Sequence, residues 1–389
     1  MSRPELLFYC QHSLGLGHLS RSLALCDALA QRFRVTLLCG GKLPQSVTPP
    51  DGVRLVALPP VGATTDGSIV SRDGRRGLER ARELRREIIL RTFRSTRPQA
   101  ILIEFFPFGK KRFTDEILPL LDEARGLGSR APLIACSIRD ILVGRGPEQQ
   151  AHDDRARDLA NRYFDAVLVH SDPEFARLEE SFRPRQPLRT PIYHTGFVVS
   201  NGMPRNGWHK RRDKIVVSAG GGIVGAPLLQ TAIRARRFLD DDIELKVIAG
   251  PFLPDDTWKA LQAEAGGTKG LTLQRSVKSL TAELRTAAAS VSQCGYNTAL
   301  DILRTRVPAL VVPFSESGED EQTKRAHRLK AAGAVRVLDA RELRPERLAE
   351  EIQALLSFRP RNVTVDMNGG PASAEILHEL YAHRIGGAA

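Results

Sequence analysis

The amino-acid sequence predicts an α/β protein with two doubly wound, Rossmann-like domains. Short apolar runs alternate with helical or loop-length segments along the 389-residue chain, a pattern typical of parallel sheets covered by helices on both faces. A stretch around 196–214, rich in glycine and basic residues, interrupts this alternation. We therefore expect a first domain at 1–198 and a second domain at 214–370. A linker at 199–213 would join them, and a C-terminal helix at 371–389 would cross back to the first domain.

The first half contains six apolar runs of strand length, each bounded by polar or turn-forming residues. They predict strands at Leu6–Gln11, Val35–Cys39, Val53–Leu58, Ala100–Glu104, Leu133–Ser137 and Ala166–His170. After the first run, Leu19, Leu23 and Cys26 recur at helical spacing, so we expect a helix that begins near His18. The chain therefore opens with a strand, a glycine-containing loop and a helix.

The segment 72–97 predicts an amphipathic, basic helix. It contains ten arginines against four acidic residues, with an apolar stripe that includes Leu84 and Ile88. One interpretation is a solvated helix face, in which Glu79 and Glu83 pair with neighbouring arginines. The other is a surface that contacts an anionic membrane or an acceptor. The sequence leaves both interpretations open.

The second half repeats the alternation after the linker. Strands are predicted at Ile215–Ser218, Leu245–Ala249, Leu271–Leu273, Ala287–Val291 and Ala309–Val312. Helical spacing follows the fourth of these strands and returns at 373–383, near the end of the chain. The strands that follow the two GxGxxG-like loops end in glycine instead of an acidic residue, so the sequence does not favour a dinucleotide site.

Composition and charge exclude several classes of protein. Hydrophobic residues make up 42% of the chain and charged residues 26%, which is typical of a folded globular protein. The five cysteines lack metal-ligand spacing, so we expect no metal site, no disulfide framework and a reducing, cytoplasmic location. We find no signal peptide and no apolar run of the roughly 18–20 residues that span a membrane. The net charge of +12 is shared by both halves, so we expect no nucleic-acid partner.

Glycine-rich turns precede predicted helices at three places in the chain. The glycines are Gly15 and Gly17 in the first half, and Gly220, Gly221, Gly222 and Gly295 in the second half. Glycine lets backbone or ligand approach closely, and the first N–H groups of a helix lack helical partners and attract anions. The polar turn that contains Gly295 follows an apolar run and opens a helix, so we expect a phosphate-bearing ligand there.

The second half contains a recognisable series of residues around this turn. The series runs from Cys294 to Asp301 and continues with Val307–Pro308, Pro313 and Glu321–Gln322. It resembles the nucleotide-sugar signature box of the family 1 UDP-glycosyltransferases and shares its logic with the MurG-like family 28 enzymes. The resemblance implies a GT-B fold, in which donor and acceptor meet in the cleft between two Rossmann-like domains. It also implies a glycosyltransferase that needs no cofactor.

The resemblance implies roles for the residues at the start of the box. Gly295, Asn297 and Thr298 would offer amides and side chains to the diphosphate and stabilise the leaving group without a metal. Asp301 lies three residues after Thr298, hence on the same helix face, where its carboxylate would accept the ribose hydroxyls.

Other parts of the second half are assigned by the same resemblance. Glu321 and Gln322 would hold the hydroxyls of the transferred sugar, and the loop at Arg275 would line the base. The box departs from plant family members at Gln293, where they carry a histidine, and at Asp301, where they carry a glutamate.

Three residues of the first half are expected to serve the acceptor. The sequence Gly15-Leu16-Gly17-His18 resembles the N-terminal glycine–histidine motif of these families, and His18 would be the general base on an acceptor hydroxyl. Glu104 closes a strand at the edge where open parallel sheets bind ligands, and it either caps a nearby helix or touches the acceptor. With Arg21, the motif also resembles that of nucleotide-sugar hydrolases of the PseG type, in which the acceptor is water.

The leading hypothesis is an inverting, metal-independent glycosyltransferase that uses a nucleotide-diphosphate sugar, a UDP-sugar in the families resembled. The acceptor is a lipid-linked or natural-product hydroxyl, and an anionic surface at the inner face of the membrane is a candidate partner for the basic helix. The alternatives are a nucleotide-sugar hydrolase and a non-catalytic nucleotide-sugar-binding regulator.

Overall fold

The computed structural model describes most of the chain. The described residues are 3–12, 17–41, 43, 48–64, 68–200, 212–222, 224–314 and 320–386. The chain divides into two compact units, which are described separately below. The first unit is drawn from residues 1–14, 18–201 and 365–389, and the second from 15–17 and 202–364.

The described elements alternate between strand and helix in both units. The strands are β1 Glu5–Cys10, β2 Arg34–Cys39, β3 Val53–Ala57, β4 Val61–Ala63, β5 Ile69–Ser71, β6 Ala100–Glu104, β7 Leu133–Arg139, β8 Ala166–His170, β9 Ile192–His194, β10 Arg212–Ser218, β11 Glu244–Ile248, β12 Leu271–Gln274, β13 Ala287–Ser292, β14 Ala309–Val311 and β15 Arg336–Val337. The α-helices are α1 Gly17–Leu29, α2 Leu78–Thr96, α3 Thr114–Gly126, α4 Gln149–Tyr163, α5 Ala226–Ala235, α6 Asp255–Ala265, α7 Leu280–Thr286, α8 Tyr296–Thr305, α9 Glu321–Ala331, α10 Pro345–Ser357 and α11 Gly369–Gly386.

The first unit is built on a seven-stranded sheet in the order β3-β2-β1-β6-β7-β8-β9. All of its strand pairs are parallel. A separate antiparallel pair, β4 with β5, lies outside this sheet. The strand order reverses direction between β1 and β6, and the carboxyl ends of strands at such a reversal are where open α/β sheets bind ligands.

Side chains of the first sheet alternate between two apolar layers. Leu7 and Tyr9 of β1 face a core that includes residues of α2, α3 and α4. Leu6 and Phe8 face a second core with residues of α1 and α11. Successive side chains of a strand point to opposite faces, so strands that are buried on both faces read as continuous apolar runs. Together with the parallel sheets of both units, this arrangement confirms the prediction of two doubly wound domains.

The C-terminal helix α11 belongs to the first unit. Its side chains Ala374 and Leu377 lie in the core that contains Leu6 and Phe8. The segment before the helix is fixed to the stretch that follows β9 by backbone hydrogen bonds, from Phe197 N–H to the Asp366 carbonyl at 2.7 Å and from Gly369 N–H to the Phe197 carbonyl at 3.0 Å. The end of the chain therefore completes the helical layer on one face of the first sheet.

The second unit contains a six-stranded parallel sheet in the order β12-β11-β10-β13-β14-β15. Val217 of β10 and Val291 of β13 face a core that includes residues of α5, α6 and α10. Val216, Ser290 and Ser292 have the opposite parity along these strands and are also buried. The central strands β10 and β13 therefore end side by side, so the loops that follow them emerge at the same edge of the sheet.

The basic segment forms helix α2 and carries paired charges on its surface. Arg80 pairs with Glu83 at 2.9 Å, and both side chains are at least half exposed. Arg94 pairs with Glu123 of α3 at 2.7 Å. These pairs fit the interpretation of a solvated face, and contact with a membrane surface stays a prediction. Among the described residues, no helix combines the length and the apolarity needed to cross a bilayer.

Arg85 differs from the exposed arginines of α2, because its side chain is fully buried. Its guanidinium donates to both oxygens of Glu116, at 2.8 and 2.6 Å, and to Gln11 Oε1 at 2.6 Å. It also donates to the carbonyls of Gly40 and Pro59, at 2.8 and 2.9 Å. This one side chain therefore ties the ends of β1, β2 and β3 to α2 and α3.

Candidate active site

The first candidate site lies at the carboxyl ends of β1 and β6. Glu104 is the last residue of β6, while His18 and Arg21 lie in the first turns of α1, which follows β1. His18 Nδ1 and Arg21 Nη2 each lie 2.5 Å from the same carboxylate oxygen, Glu104 Oε1. Because β1 and β6 are neighbours in the sheet, the strand-end acid and the helix start are brought together.

Burial and charge set the protonation of this cluster. Glu104 and Arg21 are almost completely buried, whereas the His18 side chain is 20% exposed. Burial would raise the pKa of Glu104, but the charges of His18, Lys110 and Arg21 and the hydrogen bond from His18 lower it below its usual value. Burial lowers the pKa of His18, and the neighbouring Glu104 opposes that shift only in part. The consistent state near neutral pH is an ionised Glu104 that accepts the Nδ1–H of a neutral His18.

This tautomer leaves Nε2 of His18 as the nitrogen that can accept a proton. The second carboxylate oxygen, Glu104 Oε2, has no hydrogen-bond partner within the part of the chain that the structure describes. The ring of Phe105 contacts His18 edge to face, with centroids 5.6 Å apart. A partly exposed imidazole with a fixed tautomer and an ionised partner has the chemistry of a general base.

The aromatic segment after β6 is mostly core. Phe106 and Phe108 are buried in the apolar layer that contains α3 and α4. Phe105 differs, because it adopts a positive φ of 67° and lies between His18 and the guanidinium of Arg139, whose carbon is 5.3 Å from the ring centroid. Only this first aromatic residue therefore borders the candidate site.

Sequence reasoning missed a buried polar network beside this cluster. His170, the last residue of β8, lies between Ser137 Oγ at 2.7 Å and Thr195 Oγ1 at 2.9 Å. Ser137 is the register partner of Glu104 on β7. Burial is the largest influence on His170 and lowers its pKa to about 3, so it is neutral. The sequence did contain a signal for this network, since Ser137 and His170 are the last residues of two predicted strands.

The second candidate site lies at the carboxyl end of β13. This strand ends at Ser292, and α8 begins at Tyr296 with Gly295 in the extended conformation as its N-cap. The first hydrogen bond within the helix runs from Ala299 N–H to the Gly295 carbonyl at 2.9 Å. The N–H groups of Tyr296, Asn297 and Thr298 come before that bond, at the positive end of the helix dipole. The predicted anion-binding turn is therefore a helix N-terminus at a strand end.

The glycines of the first loop of this unit serve different purposes. Gly220 has a φ of 58°, and a Cβ there would meet nothing within 4 Å. Gly222 has a φ of 94°, and a Cβ there would lie 2.6 Å from the Ala249 carbonyl oxygen. Gly222 is thus required because the loops after β10 and β11 touch backbone to backbone. Gly221 accepts a backbone hydrogen bond from Phe252 at 3.0 Å, within the same pair of loops.

Asp301 lies in the second turn of α8 and is engaged inside the unit. Its Oδ1 accepts the hydroxyl of Thr281 from α7 at 2.6 Å. Burial raises the pKa of Asp301, while the Thr281 hydrogen bond and the charge of Arg304 oppose that shift. Its predicted contact with a ribose stays a prediction.

Glu321 and Gln322 start helix α9, and both contact other parts of the unit. Gln322 Oε1 accepts the backbone N–H groups of Cys294 at 3.1 Å and Phe314 at 3.2 Å. Glu321 is 6% exposed and pairs with Arg325 at 3.3 Å. Arg325 was not singled out from the sequence, although Glu321 and Arg325 are four residues apart and hence on one helix face.

Arg275 follows β12 and contacts the start of α6. Its Nη2 donates to Asp255 at 2.6 Å and to the Leu253 carbonyl at 2.9 Å, and its guanidinium lies over the ring of Trp258. The predicted role of this loop near a nucleotide base is untested. Of the other predicted residues, Gly15 lies outside the described residues, and Gly17 is the first residue of α1.

No metal-ligand cluster is evident in the described ranges, where no three His, Cys, Asp or Glu side chains group together as ligands. The five cysteines are buried and free. The two candidate sites are therefore built from a histidine–carboxylate–arginine cluster in one unit and a helix N-terminus in the other.

The second half of the chain is similar to a known protein family. Residues 220–379 match the family model described as the glycosyltransferase family 28 C-terminal domain. The match covers less than half of the 389-residue chain. The predicted resemblance to family 28 is thereby confirmed, and the matched range includes the N-terminus of α8 and the start of α9.

A curated relative with a similar sequence comes from Alkalilimnicola ehrlichii. It is named UDP-N-acetylglucosamine–N-acetylmuramyl-(pentapeptide) pyrophosphoryl-undecaprenol N-acetylglucosamine transferase. It is 28% identical over 141 residues, which cover 36% of this chain and 40% of the relative. A second relative of the same name, from Psychrobacter cryohalolentis, is 28% identical over 136 residues, or 38% of its length. The matched region thus spans about two fifths of these relatives.

Solved structures show a similar fold along nearly the whole chain. The calicheamicin glycosyltransferase CalG4 has a TM-score of 0.60 at 18% identity, and the alignment covers 99% of this chain and 100% of CalG4. MurG of Acinetobacter baumannii has a TM-score of 0.58 at 15% identity, covering 97% and 100% of the two chains. At such low identity these matches concern the fold, and they confirm the prediction of a GT-B fold.

Proposed function

We propose that this protein is an inverting, metal-independent glycosyltransferase that moves a sugar from a nucleotide-diphosphate sugar to a hydroxyl-bearing acceptor. The observation that carries the proposal is the contact of His18 Nδ1 with Glu104 Oε1, because it leaves His18 Nε2 as a base toward an acceptor. The family 28 domain supports a nucleotide-sugar donor. The names of the matched relatives support UDP as its nucleotide.

On the acceptor side, His18 Nε2 takes the proton of the acceptor hydroxyl as the oxygen attacks the anomeric carbon of the sugar. The new carbon–oxygen bond forms as the bond from that carbon to the diphosphate oxygen breaks, and the electron pair leaves with the nucleoside diphosphate. Glu104 is a positioning residue, since it fixes the tautomer of His18 and stabilises the imidazolium that forms. Arg21 positions Glu104 in turn, because its guanidinium binds the same carboxylate oxygen.

On the donor side, the N-terminus of α8 receives the diphosphate. Amide N–H groups and the helix dipole stabilise the charge that develops on the leaving group, a task that metal ions perform in other transferases. In this assignment Gly295, Asn297 and Thr298 bind the diphosphate, and Asp301 reaches the ribose by exchanging its Thr281 contact. The loop at Arg275 lines the base.

The acceptor is proposed as a lipid-linked or natural-product hydroxyl. The matched relatives are named for a pyrophosphoryl-undecaprenol substrate, whereas CalG4 is named for calicheamicin, so these names support both classes of acceptor. A peripheral position at the inner face of the membrane would suit the first class, with the exposed arginines of α2 toward anionic lipid.

The proposal is tested by incubating purified protein with a panel of nucleotide sugars, with and without fractions of a cell extract. We expect nucleotide release that depends on one donor and on one acceptor fraction. Release of nucleotide with an equimolar amount of reducing sugar, in the absence of acceptor, would instead identify a hydrolase. The motif that contains Arg21 resembles that of such hydrolases. Saturable donor binding without turnover would identify a regulator.

Replacing Glu104 by glutamine should lower kcat by on the order of 100-fold or more. The side chain keeps its shape but loses its charge, so it no longer favours the Nδ1–H tautomer or stabilises the imidazolium. The measurement is steady-state donor turnover with the active acceptor fraction. Glu87→Gln, an exposed change on α2, is the matched control and should leave kcat unchanged. A Glu104→Gln variant with half of the normal kcat would contradict the role of Glu104.

A further inference from the structure

Two side chains of helix α9 bind both backbone polar groups of Cys294. The Cys294 N–H donates to Gln322 Oε1 at 3.1 Å, and the Cys294 carbonyl accepts from Arg325 Nη1 at 2.8 Å. Cys294 is fully buried and directly precedes Gly295, the N-cap of α8. Helix α9 therefore fixes the backbone of the residue that directly precedes the N-cap of α8.

Arg325 is buried, so its contact with Cys294 belongs to the interior of the unit. Its side chain is 2% exposed, and its charge is balanced by Glu321 at 3.3 Å, which is itself 8% exposed. Removing a guanidinium from water is costly unless its hydrogen bonds are replaced within the protein. The planar guanidinium holds a fixed geometry between the Glu321 carboxylate and the Cys294 carbonyl, which a flexible ammonium would hold less tightly.

The side-chain oxygen of Gln322 is also occupied by hydrogen bonds within the unit. Oε1 accepts N–H groups from Cys294 and from Phe314, which follows β14. An amide oxygen has two lone pairs, and these two donors use both of them. A hydroxyl group of a sugar could therefore donate to this oxygen only by displacing a backbone contact.

We propose that Gln322 and Arg325 are positioning residues for the diphosphate half of the donor. They fix the two peptide groups that flank the Cα of Cys294, and thereby the direction of the N–H groups in the first turn of α8. The inference rests on the nucleotide-sugar function proposed above. It replaces the role that the sequence resemblance gives Gln322, namely a ligand of the transferred sugar.

The two roles predict different binding patterns, which calorimetric titration with uridine, UDP and UDP-glucose can separate. A positioning role predicts that Gln322→Ala weakens UDP and UDP-glucose by the same factor, about 10-fold, the typical effect of losing a buried hydrogen-bonded contact. Uridine has no phosphate, so its affinity should not change. A sugar ligand predicts weaker UDP-glucose binding with unchanged UDP binding, and that result would overturn the inference.

Arg325 is tested by the double change Glu321→Gln with Arg325→Met, which removes the buried charge pair together. The single change would leave Glu321 buried without its cation and so risks misfolding. The double variant should reproduce the Gln322→Ala pattern, with circular dichroism as the check of folding. If this variant misfolds, Gln322→Ala alone decides the inference. Lys324→Ala, an exposed change on the same helix, is the matched control and should bind all three ligands normally.

Nucleotide binding by the wild-type protein distinguishes a failure of the proposed function from a failure of the positioning role alone. If it binds none of UDP, TDP, GDP and ADP, the donor class of the proposed function fails, and the positioning role fails with it. If the wild type binds a nucleoside diphosphate and Gln322→Ala binds it equally well, the positioning role alone is overturned. Equal weakening of diphosphate and sugar nucleotide supports it.

Discussion

Replacing His18 by alanine is expected to lower kcat for glycosyl transfer by about 10²- to 10⁴-fold, the usual contribution of a general base. The variant keeps Glu104 and Arg21 in contact but removes Nε2, the atom that accepts the proton. The α8 turn, which we propose as the donor site, is unchanged, so the affinity for the nucleotide should not change. Donor turnover with the active acceptor fraction and calorimetric nucleotide binding measure the two quantities.

The control for this variant is His383→Ala, an exposed histidine on α11 of the same unit. It should have normal turnover. The pH dependence gives a second readout, because burial lowers the pKa of His18 and only the neutral imidazole can accept a proton. We expect kcat to persist as the pH falls through about 6.5, the ordinary histidine pKa, and to decline only at lower pH. Normal turnover of His18→Ala would exclude this base.

Replacing Arg85 by methionine is expected to lower the free energy of unfolding of the first unit by about 3–5 kcal/mol. The change leaves the Glu116 carboxylate buried without a cation, and the carbonyls of Gly40 and Pro59 lose their donor. Trp258 belongs to the second unit, so its fluorescence does not report this loss. Hydrogen exchange of peptides that contain β1 and β6 measures it directly.

The matched control for Arg85 is Arg80→Ala on the same helix. Arg80 forms an exposed pair with Glu83, and such pairs contribute at most about 1 kcal/mol. A double change, Arg85→Met with Glu116→Leu, should recover part of the loss, because no buried charge then lacks a partner. Equal protection of β1 and β6 in the Arg85→Met and Arg80→Ala variants would show that the buried network does not stabilise the unit.

The strands could be predicted closely wherever the sheet is buried on both faces. The predicted strands Ala100–Glu104 and Ala166–His170 have the observed bounds, because continuous apolar runs end there at polar residues. The edge strand Ile192–His194 was missed, since three partly buried residues carry no clear period. Arg85 was predicted within the basic helix, but its burial depends on Glu116 of α3, and composition alone cannot reveal such a non-local partner.

The first site could be predicted in part from the sequence. Glu104 was placed at a strand end and His18 at the start of the helix after the first strand, and their contact follows from the neighbouring positions of β1 and β6. Arg21 was assigned to substrate by resemblance, yet its guanidinium lies on Glu104. The spacing of His18 and Arg21, three residues apart on a helix, already indicated a shared face. What the sequence lacked was the direction of that face relative to β6.

The second site shows where resemblance and geometry differ. The start of α8 was predicted from the polar turn that contains Gly295 and follows an apolar run, and the structure has a helix N-terminus there. The contacts of Gln322 with Cys294 and Phe314 depend on how the segments after β13 and β14 approach α9, which no local pattern encodes. A motif can therefore identify a residue without stating which atom it touches.

In the proposed reaction, the protein transfers a sugar from a nucleotide sugar to an acceptor hydroxyl with His18 as the base. Intact mass analysis of the products from the donor panel and the active acceptor fraction tests it most directly. We predict one new species, heavier than the acceptor by a single glycosyl residue, together with one released nucleoside diphosphate. With His18→Ala, this species should form about 10²-fold more slowly or worse. Donor that stays intact, or free sugar without a heavier acceptor, would contradict the account.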